Sequence, residues 1–361
     1  MLKGVMCAML LCLALVLLYK IVQKENVKED PTPRTPACPD IGQHTYAHQT
    51  YEDIFSTIND WEKNAPDLVE VGTYGRTTEG KDHYYLKISN KFAPGDKTVL
   101  VTACIHGNEP LSTSTVMAYA WKLLSAYGKD EAITSLINNR TIYFIPVVSP
   151  DSYPDTRKVG GKDPNRDYPT LKNPNKISVA PVESLKSLFL KITPDSVLAG
   201  HTFGRVYLIP WGDSTKDNPN VADYERIASQ MCALSKYRFQ RACEMYDRPI
   251  YGTEIDWYHR NGAFAMVSEF GTHQREATAQ ETIRELERTF EAFLYFLEES
   301  VKVETPFSSS PPSTQILNSP IKQPPQTTCP STRYANGHDN NSQRTGQTQQ
   351  KKRVPRIQRN L

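Results

Sequence analysis

None of the seven cysteines in this 361-residue chain lies in a C-x-x-C spacing, which sets cysteine chemistry aside as the function. No Ser-His-Asp arrangement competes for attention, and the chain carries no internal repeat. Hydrophobic residues make up only 39% of it, and the deficit is uneven. From Thr305 onward, Pro, Ser, Thr, Gln and Asn dominate and aliphatic clusters are missing. Such a stretch cannot bury enough apolar surface to offset its chain entropy, so residues 303–361 are expected to form a disordered tail.

Charge is uneven too. The formal net charge is +2, yet Thr305 to Leu361 holds eight Lys or Arg and one Asp, a net of +7, which leaves −5 for the rest. Five of those basic groups fall between Lys351 and Leu361. An anionic surface is the partner such a tail would suit; a solvated tail with no partner is the plainer reading. No specific nucleic-acid binding is expected.

Long apolar runs are almost absent as well. The exception is Val5 to Tyr19, preceded by Lys3, the pattern of a signal peptide or signal anchor over residues 1–23. As a helix, fifteen residues reach about 22 Å, short of a hydrocarbon core of roughly 30 Å. Ile21 and Val22 extend the span to residues 5–22 if Lys20 snorkels. No clear small-x-small cleavage site follows, which favours membrane anchoring over secretion; either way the following domain is expected outside the cytoplasm. Cys7 and Cys12 belong to this segment, Cys38 and Cys329 to the flanks, and Cys104 reads as a small buried thiol. Cys232 and Cys243 are spaced to close a short loop and could form a disulfide in an oxidising compartment.

Residues 24–43 read as a Pro-rich, charged linker, and residues 44–302 as the ordered domain. Tyr51 to Asn64 has Ile54, Ile58 and Trp61 on one helical face. Leu68 to Tyr74 and Asp82 to Ile88 alternate like strands around a turn at Gly75 to Gly80. A strand from Thr98, a helix from about Leu111 to Tyr127 and a strand from Thr141 to Val148 follow. Glu276 to Glu299 carries an apolar stripe of Ile283, Leu286, Phe290, Phe293, Leu294 and Leu297, which reads as core packing. This alternation predicts an α/β fold with a mixed, largely parallel central sheet and helices on both faces.

The chemistry concentrates where two strands end. After Thr98 to Ala103 comes Cys104-Ile105-His106-Gly107-Asn108-Glu109-Pro110, which puts an imidazole and a carboxylate on one turn. After Ser196 to Ala199 comes His201. In such sheets ligands gather at the carboxyl ends of strands. Two His and one Glu, with a position left for water, is a ligand set of hydrolytic zinc sites.

Five blocks in order then give the chain a strong resemblance to the zinc metallocarboxypeptidases of the carboxypeptidase A/B type. They are Ile105 to Glu109, Pro164-Asn165-Arg166-Asp167, His201 to Gly204 leading to Pro210-Trp211-Gly212, Tyr251 with Ile255-Asp256-Trp257, and Ser268-Glu269-Phe270. The resemblance covers roughly Thr45 to Glu299. It implies one Zn2+ per chain on His106, Glu109 and His201, with Asp163 holding the first His in its ligand tautomer. It implies Asn165 and Arg166 as the grip on a free C-terminal carboxylate, since a guanidinium fork and an amide donor suit that anion. Tyr251 matches a mobile tyrosine that closes over that end, and Ile255 the main specificity position, where an apolar residue suggests apolar or aromatic C-terminal side chains. Glu254 beside it could instead attract a basic one. Glu269 is the implied general base for the metal's water, and Arg157 the group that polarises the scissile carbonyl.

Some features depart from the digestive enzymes. Asn108 replaces an arginine, Arg157 lies about one residue closer to Asn165, and the intervals from Glu109 to His201 and from Tyr251 to Asp256 are shorter. Those intervals imply trimmed loops and an open cleft. The catalytic segment is expected to begin soon after the linker, with no inhibitory pro-domain between them. Peptide or protein C-termini are the expected substrates. An amidase or deacylase acting on muropeptides or N-acyl amino acids is the alternative enzyme, and a peptide-binding pseudo-peptidase the non-enzymatic one.

Overall fold

The computed structural model describes residues 35–273 and 277–306. The apolar segment at residues 5–22, the first part of the linker and the basic tail lie outside the described residues. Among the described residues no helix is long and apolar enough to cross a membrane.

The domain opens with α1 (Tyr51–Asn64), where the Thr50 side chain accepts from the Asp53 amide and Asp53 reaches back, a reciprocal cap. Its Ile54, Ile58 and Trp61 are buried, as their spacing predicts. Strands β1 (Val69–Arg76) and β2 (Asp82–Ile88) pair antiparallel. The turn expected at Gly75 starts two residues later, because a bulge between Thr73 and Gly75 keeps Gly75 and Arg76 in the ladder. The reversal is closed instead by the Thr77 amide on the Lys81 carbonyl, at 2.7 Å.

Then come β3 (Lys97–Ala103), α2 (Pro110–Ala126), α3 (Glu131–Asn138), β4 (Arg140–Ile145), α4 (Ala180–Ile192), β5 (Ser196–Thr202) and β6 (Val206–Ile209). The chain closes with α5 (Val221–Ser235), β7 (Arg238–Arg241), α6 (Ala242–Met245), α7 (Glu254–Arg260), β8 (Phe264–Phe270) and α8 (Ala279–Glu299). β4 ends before Val148 because the chain leaves the ladder there, and the Val148 and Ser149 amides turn to the Ala103 and Cys104 carbonyls.

The eight strands form one mixed sheet in the order β1-β2-β4-β3-β5-β8-β6-β7. Its centre is parallel: β4 with β3, β3 with β5, and β5 with β8. Period-two alternation divides the strand residues between two cores. Val99 and Val101 join the cluster built with α1, α2, α5 and α8, whereas Leu100 joins the one built with α4 and α7. The expected architecture, α/β with helices on both faces, is therefore the one observed.

α8 begins at Ala279, with Thr278 and Glu281 forming its capping box. Phe293 on α8 stacks on Tyr119 of α2 with ring centroids 4.2 Å apart. The apolar stripe also admits a buried Glu285, which Arg205 grips at 2.6 Å and Tyr237 hydrogen-bonds. No disulfide joins Cys232 to Cys243: one sits on the α5 helix and the other within the short α6, each fixed by its own element.

Because Phe293 is fully buried in the aromatic stack, Phe293→Ala should cost about 3–5 kcal/mol. Denaturant unfolding of the two proteins, with the slope unchanged, measures it.

Candidate metal centre

The first ligand turn is assembled by backbone geometry. Cys104 takes a left-handed conformation (φ 52°) and swings the chain off β3. The Ser149 hydroxyl holds the Ile105 carbonyl at 2.7 Å. A side-chain carbon at Gly107 would collide with the Ser152 backbone, so only glycine permits this approach. Glu109 precedes α2, and Pro110 fills the first helical position. Ser112 ties the turn to the helix, donating to the Glu109 carbonyl at 2.7 Å and accepting from the Cys104 amide at 3.2 Å.

His201 comes from β5, whose residues are all buried. Its Nδ1 lies 2.9 Å from Glu109 Oε2, and His106 Nδ1 lies 2.8 Å from Glu109 Oε1. One ligand atom from each of the three residues falls within 4.8 Å of the others. The far ring nitrogens are held too: His106 Nε2 lies 3.0 Å from Asp163 Oδ1, and His201 Nε2 lies 2.6 Å from Glu254 Oε1. With each Nε2–H given to a carboxylate, both Nδ1 lone pairs face a common point. Two imidazoles and a carboxylate, each imidazole backed by an acceptor, is a donor set that fits zinc.

The electrostatics separate the carboxylates. Burial pushes Glu109 upward, but the His201 and His106 imidazoles outweigh it and hold the carboxyl down to about 2. Asp163 is likewise held well below the usual range against its burial by His106, Arg157 and Arg166. Burial lowers His201, yet Glu109 and Glu254 raise it well above its ordinary value. For Glu269 burial wins and the nearby Glu109 adds to it, so its carboxyl is pushed up to about 7.

Glu269 arrives through the sheet. It is the β8 register partner of His201, and it lines the same cleft as the three ligand candidates. Arg157 lines it as well, with Nε 3.1 Å from Asp163 Oδ2 and one terminal nitrogen 3.3 Å from Glu109 Oε1. Asn165 and Arg166 occupy a single 3-10 turn (Pro164–Arg166) at the cleft. Asn165 Oδ1 accepts the Glu254 amide at 2.8 Å, and Asn165 Nδ2 lies 3.4 Å from His201 Nε2. The Arg166 guanidinium lies 5.2 Å above the Tyr246 ring. Ile255 is buried in an apolar wall with Leu208, Ile250 and Val267.

Tyr251 stands apart from this group. It is 53% exposed, outside the cleft lining, and its ring is 5.8 Å from Lys172 Nζ. Its neighbours explain the direction. Ile250 is drawn inward, its amide bonded to the Gly212 carbonyl at 2.8 Å, and Gly252 is pressed against the Arg166 backbone.

Two residues of the site were not legible beforehand. Tyr246 floors the Arg166 guanidinium. Glu254, which beside Ile255 offered the alternative of attracting a basic side chain, is fully buried behind His201, because it starts α7 on the side facing β5. Neither had a signal in the sequence, since each acts through a long-range contact.

The zinc carboxypeptidase family model matches residues 54–292. Mouse carboxypeptidase A4 is 26% identical over 255 residues, 60% of this chain and 60% of that protein. The inactive metallocarboxypeptidase ECM14 of Saccharomyces cerevisiae is 36% identical over 110 residues, 28% of this chain and 25% of that one. The chain thus spans 60% or less of the length of these two relatives. In fold, the crystal structure of thrombin activatable fibrinolysis inhibitor superposes with a TM-score of 0.65 at 16% identity, covering 79% of this chain and 80% of that one.

The raised Glu269 carboxyl carries a linkage consequence for the metal-free protein. An unfolded glutamate releases its proton near 4.5, while the folded one keeps it to about 7. Across that window the unfolded state gains stability relative to the folded one as pH rises. Glu269→Gln removes this contribution, so the variant should gain Tm relative to wild type from pH 4.5 to 7. Melting both proteins in chelator across that range checks the sign.

Proposed function

The chain belongs to the zinc carboxypeptidase family, and we propose that it is an active zinc-dependent exopeptidase that removes single residues from peptide C-termini. The observation that carries this reading is Glu269, buried beside the ligand candidates and register-paired with His201. Peptide binding alone needs no base at that point, and a relative that bears the word inactive makes the distinction matter.

His106, Glu109 and His201 hold the zinc in this reading. When bound, zinc supplies a Lewis acid and brings water near its ionisation range at neutral pH. Glu269 takes a proton from the attacking water and returns one to the leaving amine. Arg157, half-buried at the cleft and held by Asp163 and Glu109, is the cation for the oxygen where negative charge develops. Arg166, spread over Tyr246, grips the terminal carboxylate, with Asn165 beside it. Tyr251 closes over that end from its outward position.

The C-terminal side chain meets the wall of Ile255, Leu208, Ile250 and Val267, which favours apolar or aromatic residues. Glu254 no longer competes for a basic one, since its carboxylate is turned to His201. The apolar run at residues 5–22 supports an extracytoplasmic domain, anchored or secreted.

Three outcomes test the reading. Glu269→Gln should keep one zinc per chain and lose about 10²–10⁴ in kcat; wild-type turnover in that variant removes Glu269 from the mechanism. Chelation should abolish activity, and added zinc should restore it. Amidating a peptide's C-terminus removes the anion that Arg166 pairs with and should lower kcat/KM about 10–100-fold. Equal rates on free and amidated peptides, followed by mass spectrometry, would exclude an exopeptidase.

A further inference from the structure

We propose that Glu254 is a positioning residue for the metal centre, and that its carboxylate behind His201 is required for full zinc affinity. The inference rests on the reading of His106, Glu109 and His201 as zinc ligands and deepens it.

Glu254 is an expensive residue to place where it stands. Its side chain is 1% exposed, and its ion-pair partner among the described residues is His201, at 2.6 Å. Its second oxygen, Oε2, is buried and accepts no hydrogen bond from the described residues. The nearby hydroxyls of Tyr168 and Tyr258 are 3.2 Å apart and directed to each other. A buried charge is costly unless paired, and an apolar side chain of similar volume packs at lower cost. Packing therefore gives no reason for a carboxylate here. What the carboxylate achieves is local to His201: it accepts a hydrogen bond from Nε2–H, which keeps the proton there and leaves the Nδ1 lone pair aimed at the point shared with Glu109 and His106.

The surroundings hold it in that orientation. Asn165 Oδ1 accepts the Glu254 amide at 2.8 Å, which fixes the first residue of α7 against the 3-10 turn. The arrangement parallels Asp163 behind His106, with one difference. Asp163 is 22% exposed and shares its carboxylate with Arg157, whereas Glu254 is sealed from solvent and gives its contact to His201 alone. Outer carboxylates of this kind change metal affinity by about 10–100-fold when removed.

The test compares wild type, Glu254→Gln and Glu254→Met, using zinc alone as the probe. Zinc affinity is read by competition with a chromogenic chelator, the ligand field by the visible spectrum of the cobalt-substituted protein, and fold by melting the metal-free forms. Both variants should bind zinc about 10–100-fold more weakly and show a shifted cobalt spectrum. Metal-free Glu254→Gln, whose side-chain oxygen still accepts from His201 Nε2–H, should melt close to wild type, whereas Glu254→Met leaves that buried donor unpaired and should melt lower. A merely structural Glu254 gives a different pattern: lower melting of the variants with zinc affinity and cobalt spectrum unchanged in Glu254→Gln. Zinc affinity of Glu254→Gln within twofold of wild type overturns the inference and leaves the zinc reading standing. Wild-type protein that takes up no zinc overturns both.

Discussion

The register of β5 against its two parallel neighbours is the constraint on which the site depends. β5 pairs Gly200 with Ala103 of β3 and His201 with Glu269 of β8. Register partners in adjacent strands lie about 4.8 Å apart and present their side chains to the same face. The β3 chain therefore leaves the sheet one step below His201, and its turn carries His106 and Glu109 back over the strand end. A one-residue slip of β5 would send His201 to the opposite face. Burial on both faces prevents that slip: β5 and β8 are buried along their whole length, with alternate residues committed to two different cores.

Once the register is set, the local charges sort themselves. Glu109 and Glu269 are both buried carboxylates within one cleft, yet their proton affinities are driven apart. Glu109 has both imidazoles against its oxygens and stays ionised, whereas for Glu269 burial, reinforced by the charge of Glu109, outweighs the same imidazoles. Two carboxylates held in different states by their surroundings can take different roles, one as ligand and one as proton carrier. Arg157 connects these roles to the wider site: it touches Glu109 and Asp163 at once, and its charge also acts on Glu269.

Much of this was legible before any coordinates. Apolar runs that stop at Ala103, shortly before His106, and at Ala199, just before His201, announce strand ends, and strand ends in α/β sheets are where polar side chains converge. The same logic delivers Glu269 after Phe264 to Val267. Periodicity located α1 to the residue, because its stripe is uninterrupted and its cap is chemical. It erred at β1 and β4, where a bulge and an exit from the ladder depend on the partner strand. The proposed pairing of Cys232 with Cys243 treated loop closure as sufficient, although each residue is committed to its own secondary structure. Glu254 was misread for a similar reason: beside Ile255 in sequence it suggested a shared pocket, but successive residues at a helix start point in different directions.

That divergence makes α7 more than a wall. Glu254 turns to His201, Ile255 to the apolar side of the cleft, Asp256 to the Gly212 and Asp213 amides at 2.8 and 2.9 Å, and Trp257 to Tyr168 and Phe189. One rigid turn thus sets both the carboxylate behind a ligand candidate and the apolar surface that faces the cleft. The two cannot be adjusted independently by moving the helix. Since Asn165 holds the Glu254 amide, the turn that carries Arg166 belongs to the same unit. A shift of α7 large enough to reshape the apolar wall would pull on His201 and on the 3-10 turn together. Change in the pocket is therefore easier through side chains that leave the helix where it is, such as Leu208 and Ile250, which stand on separate segments of the chain.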